Sequence, residues 1–265
     1  MSIKLIVTDL DGTLLPEGTD QVNPEYYVLI RQLKEKGVAF AAASGRQYHS
    51  IRHIFEPVKD EIYVIAQNGS YVSYRGTDIH VQNMDTEKAR RLTAQLLSVP
   101  GGEVLVNNKL MMYSQSEDPQ FLDWMRYGYR NTITRVDDIM DLRMDINMVS
   151  LYLKKDIERV GAEIREQWKD DFNCTIAGVG WLDCLDKSVN KGNALKALQQ
   201  SLGILPEETI AFGDGMNDIE MLRQAGESYA MANAREEVKA AAKHRADSNE
   251  NNGVLKELKK LLEEL

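Results

Sequence analysis

The sequence predicts an α/β fold: a doubly wound, mostly parallel sheet interrupted by an inserted α+β domain. Three observations carry this. Short, nearly continuous apolar runs alternate with amphipathic helical stretches at the start of the chain, the pattern of parallel strands buried on both faces. From about Met84 the pattern changes to hairpins with helices between them. After Lys187 the first pattern returns. At 265 residues the chain is long for one core and comfortable for two.

Ile3 to Leu10 reads as the first buried strand. Asn23-Pro24 is a helix start, a capping residue followed by proline at the first helical position. Tyr26, Leu29, Ile30 and Leu33 then recur at helical spacing until Gly37 ends the helix. Val38 to Ala43 is a second strand, a helix carries Ile51, Ile54 and Phe55, and Tyr63 to Ala66 is a third strand. In the inserted region a helix over Thr86–Leu97 leads into a hairpin through Asn107-Asn108-Lys109, whose return strand begins at Leu110. A helix around Phe121 to Tyr129, a strand from Asn147 to Leu153, a helix over Ile157–Trp168 and strands on either side of Gly180 follow. The last part reads as helix Asn193–Leu202, strand Thr209–Phe212, helix Ile219–Gln224, a short Tyr229-Ala-Met segment and a closing helix from Val254. The expected domains are therefore 1–83 with 187–265 as the α/β core, Rossmann-like in its winding, and 84–186 as the insertion.

Composition excludes some functions. With 41 acidic and 32 basic side chains the net charge is −9, the wrong sign for displacing counterions from nucleic acid. An anionic small substrate is still compatible, because local cations outweigh a distant surface screened over about 8 Å. No apolar run approaches the roughly 18 residues that span a bilayer. The amino terminus lacks a signal-peptide pattern, so a cytoplasmic protein is expected. Cys174 and Cys184 match no zinc pattern and no disulfide framework, and are expected as separate small apolar residues. His49 and His53 are four apart on a helix without the acid that a zinc motif requires, and read as a solvated face.

Four groups carry chemistry. Asp9-Leu10-Asp11-Gly12-Thr13 puts two acids just past a buried strand, where ligands bind in open α/β sheets. Ser44-Gly45-Arg46 follows the second strand with a hydroxyl and free amides suited to an oxyanion. Gly213-Asp214-Gly215-Met216-Asn217-Asp218 follows another strand with oxygen donors that suit Mg²⁺. Lys191-Gly192 opens a helix with a lysine able to reach a phosphoryl group.

This set, in this order, resembles the haloacid dehalogenase-like hydrolase superfamily, and within it the Cof-type phosphatases. The likeness extends to Ala66-Gln67-Asn68-Gly69, Met231-Ala232-Asn233-Ala234 and Asn252-Gly253-Val254. It also extends, towards bacterial sugar-phosphate phosphatases, to Asn193 after Lys191-Gly192. The resemblance implies that Asp9 is the nucleophile, Asp11 the general acid and base, and Lys191 a charge partner for the phosphoryl group. It implies Mg²⁺ held by Asp9, the Asp11 carbonyl and Asp214, with Asp218 supporting them. Leu10, Ser44, Gly45, Lys191 and Asn217 would grip the phosphoryl oxygens. The insertion would be a cap able to shield the site, with Asn107, Tyr113, Trp181 and Asp183 as candidate leaving-group contacts beside Asn68 of the core. The implied partner is a small phosphorylated metabolite, without nucleic acid or membrane, acted on by a monomer or weak homo-oligomer. A phosphosugar mutase and a non-catalytic phosphometabolite sensor are the alternatives from other classes.

Overall fold

The computed structural model describes residues 2–16, 19, 21–177 and 179–264. The chain divides into two compact units, Met1–His80 with Asn190–Leu265, and Val81–Val189.

The first unit opens with β1 (Leu5–Thr8), α1 (Glu25–Glu35), β2 (Ala39–Ala43), α2 (Tyr48–Ile54) and β3 (Tyr63–Ala66). A tight hairpin of β4 (Tyr71–Tyr74) and β5 (Thr77–Val81) follows. In the second unit come α3 (Thr86–Leu97), β6 (Gly102–Asn107), β7 (Met112–Ser114), α4 (Pro119–Asp123), β8 (Ile133–Arg135), β9 (Met148–Leu153), α5 (Ile157–Trp168), β10 (Phe172–Ala177) and β11 (Trp181–Asp186). The chain returns to the first unit with α6 (Lys191–Leu202), β12 (Thr209–Gly213), α7 (Ile219–Gln224), β13 (Glu227–Met231), α8 (Glu236–Ala241), β14 (His244–Ala246) and α9 (Gly253–Glu264).

Among the described residues the first unit holds an eight-stranded sheet in the order β14-β13-β12-β1-β2-β3-β4-β5. Its pairings from β14 to β3 are parallel, and β4 turns antiparallel against β3. Leu5, Ile6 and Val7 of the central strand are fully buried, each side chain contributing about 1.5–3 kcal/mol relative to exposure. Leu5 and Val7 share a core with Ala41, Ala211 and the α6 residues Leu195 and Leu198. Phe40 points to the opposite face, because neighbours in a strand alternate, and packs against Phe55 with the rings tilted and their centroids 6.2 Å apart.

Among the described residues the second unit holds a six-stranded sheet ordered β10-β11-β9-β6-β7-β8. One face, with Val104, Val106, Val149, Leu151 and Leu182, packs on Leu92 and Leu96 of α3 and Ile164 and Trp168 of α5. Leu105 and Met112 on the other face meet Phe121 and Met125.

Several elements differ from the sequence expectation, each for a local reason. The return strand of the cap hairpin starts at Met112, not Leu110, because the Asn108 side chain accepts from the amides of Leu110 and Met111 and holds them in a loop. The helix after Asp118 stops as an α-helix at Asp123 and continues as a single π-helical turn, Trp124–Gly128. Helix α6 starts at Lys191 because the Asn190 side chain caps it, accepting from the Asn193 amide.

The cysteine expectation is overturned. Cys174 and Cys184 face one another directly in the antiparallel β10–β11 pair and are joined by a disulfide. Their register, invisible in a spacing of ten residues, brings them together. No helix among the described residues is long and apolar enough to cross a membrane.

Candidate active site

Strand β1 is where the winding reverses, with β2 and β3 on one side and β12 to β14 on the other. The crevice beyond the carboxyl ends at such a switch point is the ligand position of open α/β sheets. Asp9 is the first residue after β1 and Asp214 the first after β12, and the two strands run in register, Thr8 beside Phe212. Asp218 closes a short 3₁₀ turn before α7, and Lys191 stands in the first turn of α6.

These four side chains converge. Lys191 is completely buried, and its ammonium donates to Asp9 Oδ1 at 2.5 Å and to Asp218 Oδ1 at 2.6 Å. The other oxygen of Asp218 accepts from the amides of Asp214 and Gly215 at 3.0 and 2.9 Å. Thr13 donates its hydroxyl to Asp214 Oδ1 at 2.6 Å. Oxygens of Asp9, Asp214 and Asp218 lie within 4.8 Å of one another.

Two glycines make this approach possible. Gly12 has φ +85°, and a Cβ there would stand 2.3 Å from Asp214 Oδ2. A Cβ on Gly192 would stand 2.6 Å from the Glu220 carbonyl, so only glycine lets the first turn of α6 come this close to α7.

Burial pushes the Asp9 carboxyl well above its ordinary range, and the Asp218 charge adds to this while Lys191 opposes it. Burial likewise raises Asp214, against the hydrogen bond from Thr13. Burial disfavours the charged form of Lys191, but Asp218 and Asp9 outweigh it and hold the ammonium above its ordinary value. Three acids thus face one lysine in a nearly dry site, and such an excess is costly unless another cation offsets it. The donors are all hard oxygens, so the cluster fits a divalent cation such as Mg²⁺. Asp218, already committed to Lys191 and two amides, is a support for such an ion; Asp9 and Asp214 have the freer oxygens.

The Asp11 side chain is not part of this cluster. It is half-exposed and receives both arms of Arg46, Nε to Oδ2 at 2.9 Å and Nη2 to Oδ1 at 2.6 Å. The sequence offered Arg46 only as the last residue of Ser44-Gly45-Arg46, without a role. Its signal was positional, since β2 is the parallel neighbour of β1.

The remaining candidates of the core line the loops around the cluster. Leu10 is buried, and its carbonyl gathers the amides of Thr13, Leu14 and Leu15. Ser44 is buried after β2, and its Oγ accepts from the Arg46 amide. Its carbonyl accepts from Asn68, which with Gln67 adopts left-handed backbone, φ 56° and 50°. Gly45 is exposed beside the Asn68 amide group, and Asn217 donates to Asn68 Oδ1 at 3.0 Å.

In the second unit, Asn107 is fully buried; its Nδ2 donates to the Met148 carbonyl while Oδ1 has no partner. Tyr113 is half-buried. Trp181 belongs to an aromatic cluster with Tyr152, Trp124, Tyr129 and Phe121. Asp183 accepts from Ser150 at 2.6 Å, and burial raises its carboxyl above the ordinary range.

Comparison with known proteins agrees over nearly the whole chain. The model of the haloacid dehalogenase-like hydrolase family matches residues 6–258. The 5-amino-6-(5-phospho-D-ribitylamino)uracil phosphatase of Escherichia coli (strain K12) is 34% identical over 263 residues, covering 99% of this chain and 97% of the relative. The HMP-PP phosphatase of Citrobacter koseri is 28% identical, covering 91% of this chain and 88% of the relative. A crystal structure of a protein from Eubacterium rectale superposes with a TM-score of 0.89 at 35% identity, covering 97% of this chain and 98% of the other.

Proposed function

Because the chain belongs to the haloacid dehalogenase-like hydrolase family and is a phosphatase, we propose that it hydrolyses small phosphate monoesters with Mg²⁺ through an aspartyl-phosphate on Asp9. The observation that carries this is the buried Lys191 held between Asp9 and Asp218 at the switch point of the sheet.

An oxygen of Asp9 attacks phosphorus, the bond from phosphorus to the leaving oxygen breaks, and protonated Asp11 delivers its proton to that oxygen. Asp11, now a carboxylate, then takes a proton from water as the water oxygen attacks the same phosphorus. The bond to Asp9 breaks and inorganic phosphate leaves. Asp11 must release Arg46 to do either task. Lys191, with Ser44, Gly45, Asn217 and the Leu10 amide, balances and orients the phosphoryl oxygens. Mg²⁺, held by Asp9, Asp214 and the Asp11 carbonyl, would supply charge that lets a phosphate dianion approach two acids.

The substrate class we favour is a phosphate on a sugar or sugar alcohol. The support is the Escherichia coli relative, whose name specifies a phosphorylated ribityl chain. Phosphate release from p-nitrophenyl phosphate and a panel of sugar and polyol phosphates, with and without Mg²⁺, tests the proposal. Turnover should need Mg²⁺ and vanish in Asp9→Asn. Full activity of Asp9→Asn would remove the aspartyl-phosphate, and return of the phosphate to the substrate skeleton instead of water would favour a mutase.

A further inference from the structure

The turn after Asp9 is held from outside by two asparagines that the mechanism above does not use. Asn233 follows β13, and its Nδ2 donates to the Gly12 carbonyl at 2.8 Å. Asn249 lies between β14 and α9, and its Nδ2 donates to the Leu15 carbonyl at 3.0 Å. The two are joined to each other, the Asn249 amide donating to Asn233 Oδ1 at 3.2 Å. Asn249 is buried and Asn233 is exposed. The three bonds form a clasp across the Leu10–Leu15 turn, whose own amides close inward, Gly12 on the Leu15 carbonyl and three others on that of Leu10.

This turn carries two groups whose aim matters. Asp11 projects from it towards Arg46. Thr13 projects from it to Asp214. Gly12 lies so close to Asp214 that even a Cβ has no room, so a small rotation of its peptide disturbs the acid cluster directly.

We propose that Asn233 and Asn249 are positioning residues for phosphoryl transfer: the clasp sets the Gly12 and Leu15 carbonyls, and through them the placement of Asp11 and of the Thr13–Asp214 bond. Neither side chain touches a reacting atom. The proposal rests on the roles given above to Asp9 and Asp11. A neighbouring pair supplies the contrast, because Asn23 donates to Asn252 Oδ1 and joins the start of α1 to the start of α9 without touching the turn.

The test compares full-length Asn233→Asp and Asn249→Asp with Asn23→Ala as the structural control. The aspartates keep the shape and remove the donors. Three quantities are read: kcat and KM on an alkyl sugar phosphate, the same on p-nitrophenyl phosphate, and the thermal shift produced by Mg²⁺ alone. The clasp requires kcat on the alkyl phosphate to fall about 10- to 100-fold in Asn249→Asp, with KM within roughly threefold. The fall should be smaller on p-nitrophenyl phosphate, whose leaving group needs less help from Asp11. The Mg²⁺ shift should shrink, and Asn23→Ala should lower Tm with kcat intact. Unchanged kcat in both aspartate variants overturns the proposal, as does an equal loss on both substrates that merely follows Tm. Asp9→Asn run in parallel separates the two levels: if it turns over, the assignment of Asp9 fails; if it is inert while the asparagine variants behave as wild type, only the clasp fails.

Discussion

The two units of this chain treat buried polarity in opposite ways. The first unit buries charge, with Lys191 and Asp218 fully enclosed and Asp9 nearly so. The second buries mostly apolar side chains around one face of its sheet and pins a hairpin with a disulfide, while its buried polar residues are neutral ones such as Asn107, Ser114 and Ser150. Among the described residues, ion-paired and fully enclosed charge is gathered where groups from several loops share it, at the end of the central strand. The comparison teaches that stability and reactivity are located differently, so substitutions in the two units should separate them.

The largest expected effect is on rate. Asp9→Asn should lower kcat by about 10⁴-fold or more with little change in Tm, since Lys191 keeps Asp218; kinetics beside calorimetry check this. Next is Lys191→Met, which leaves the buried Asp9 and Asp218 without the cation that pairs them. Losing one partner of a buried ion pair costs about 3–5 kcal/mol, or roughly 10 °C of Tm in a domain of this size, and added Mg²⁺ should restore part of it. A stable, active Lys191→Met would break the contrast between the units.

In the second unit Leu151→Ala should cost about 3 kcal/mol, with p-nitrophenyl phosphate turnover per folded molecule within about twofold of wild type. Denaturation followed beside activity checks both halves. The smallest effect concerns Asp183. Its folded carboxyl titrates above the unfolded one because of burial, so stability is fullest below the unfolded pKa and declines as pH rises through the folded value. Asp183→Asn should therefore raise Tm by about 2 °C at pH 7, and the gain should disappear below about pH 4. A gain that persists in acid would assign the effect to packing.

The centre of the parallel core was legible because its strands are buried on both faces and read as short apolar runs, as in Leu5–Thr8 and Thr209–Gly213. Asp9, Ser44 and Asp214 stood out because each sits directly beyond such a run. The β4–β5 hairpin was missed, although its turn has φ above zero at both Arg75 and Gly76, a geometry for which Arg-Gly is a weaker signal than Asn-Gly. β8 and β14, three residues each, are too short to show a period. The pairing of Arg46 with Asp11 and of Cys174 with Cys184 depends on register between separate strands, which no local window contains. On the cap sheet, Trp181 and Asp183 share a face by alternation alone, and nothing in their spacing separates a recognition surface from ordinary packing.

The distance along the chain between the two halves of the site has a consequence for biosynthesis. Thr13 and Asp214, hydrogen-bonded partners, are 201 residues apart. At about 5–20 residues per second, a ribosome needs roughly 10–40 s to make that stretch. Within that interval β2 is made and can pair with β1, and every strand of the second unit is made, while β12 is completed only at its end. The nascent chain can therefore complete its insertion while β1 is paired on its β2 side alone, and the acid cluster of Asp9, Asp214 and Asp218 closes only after β12 is made.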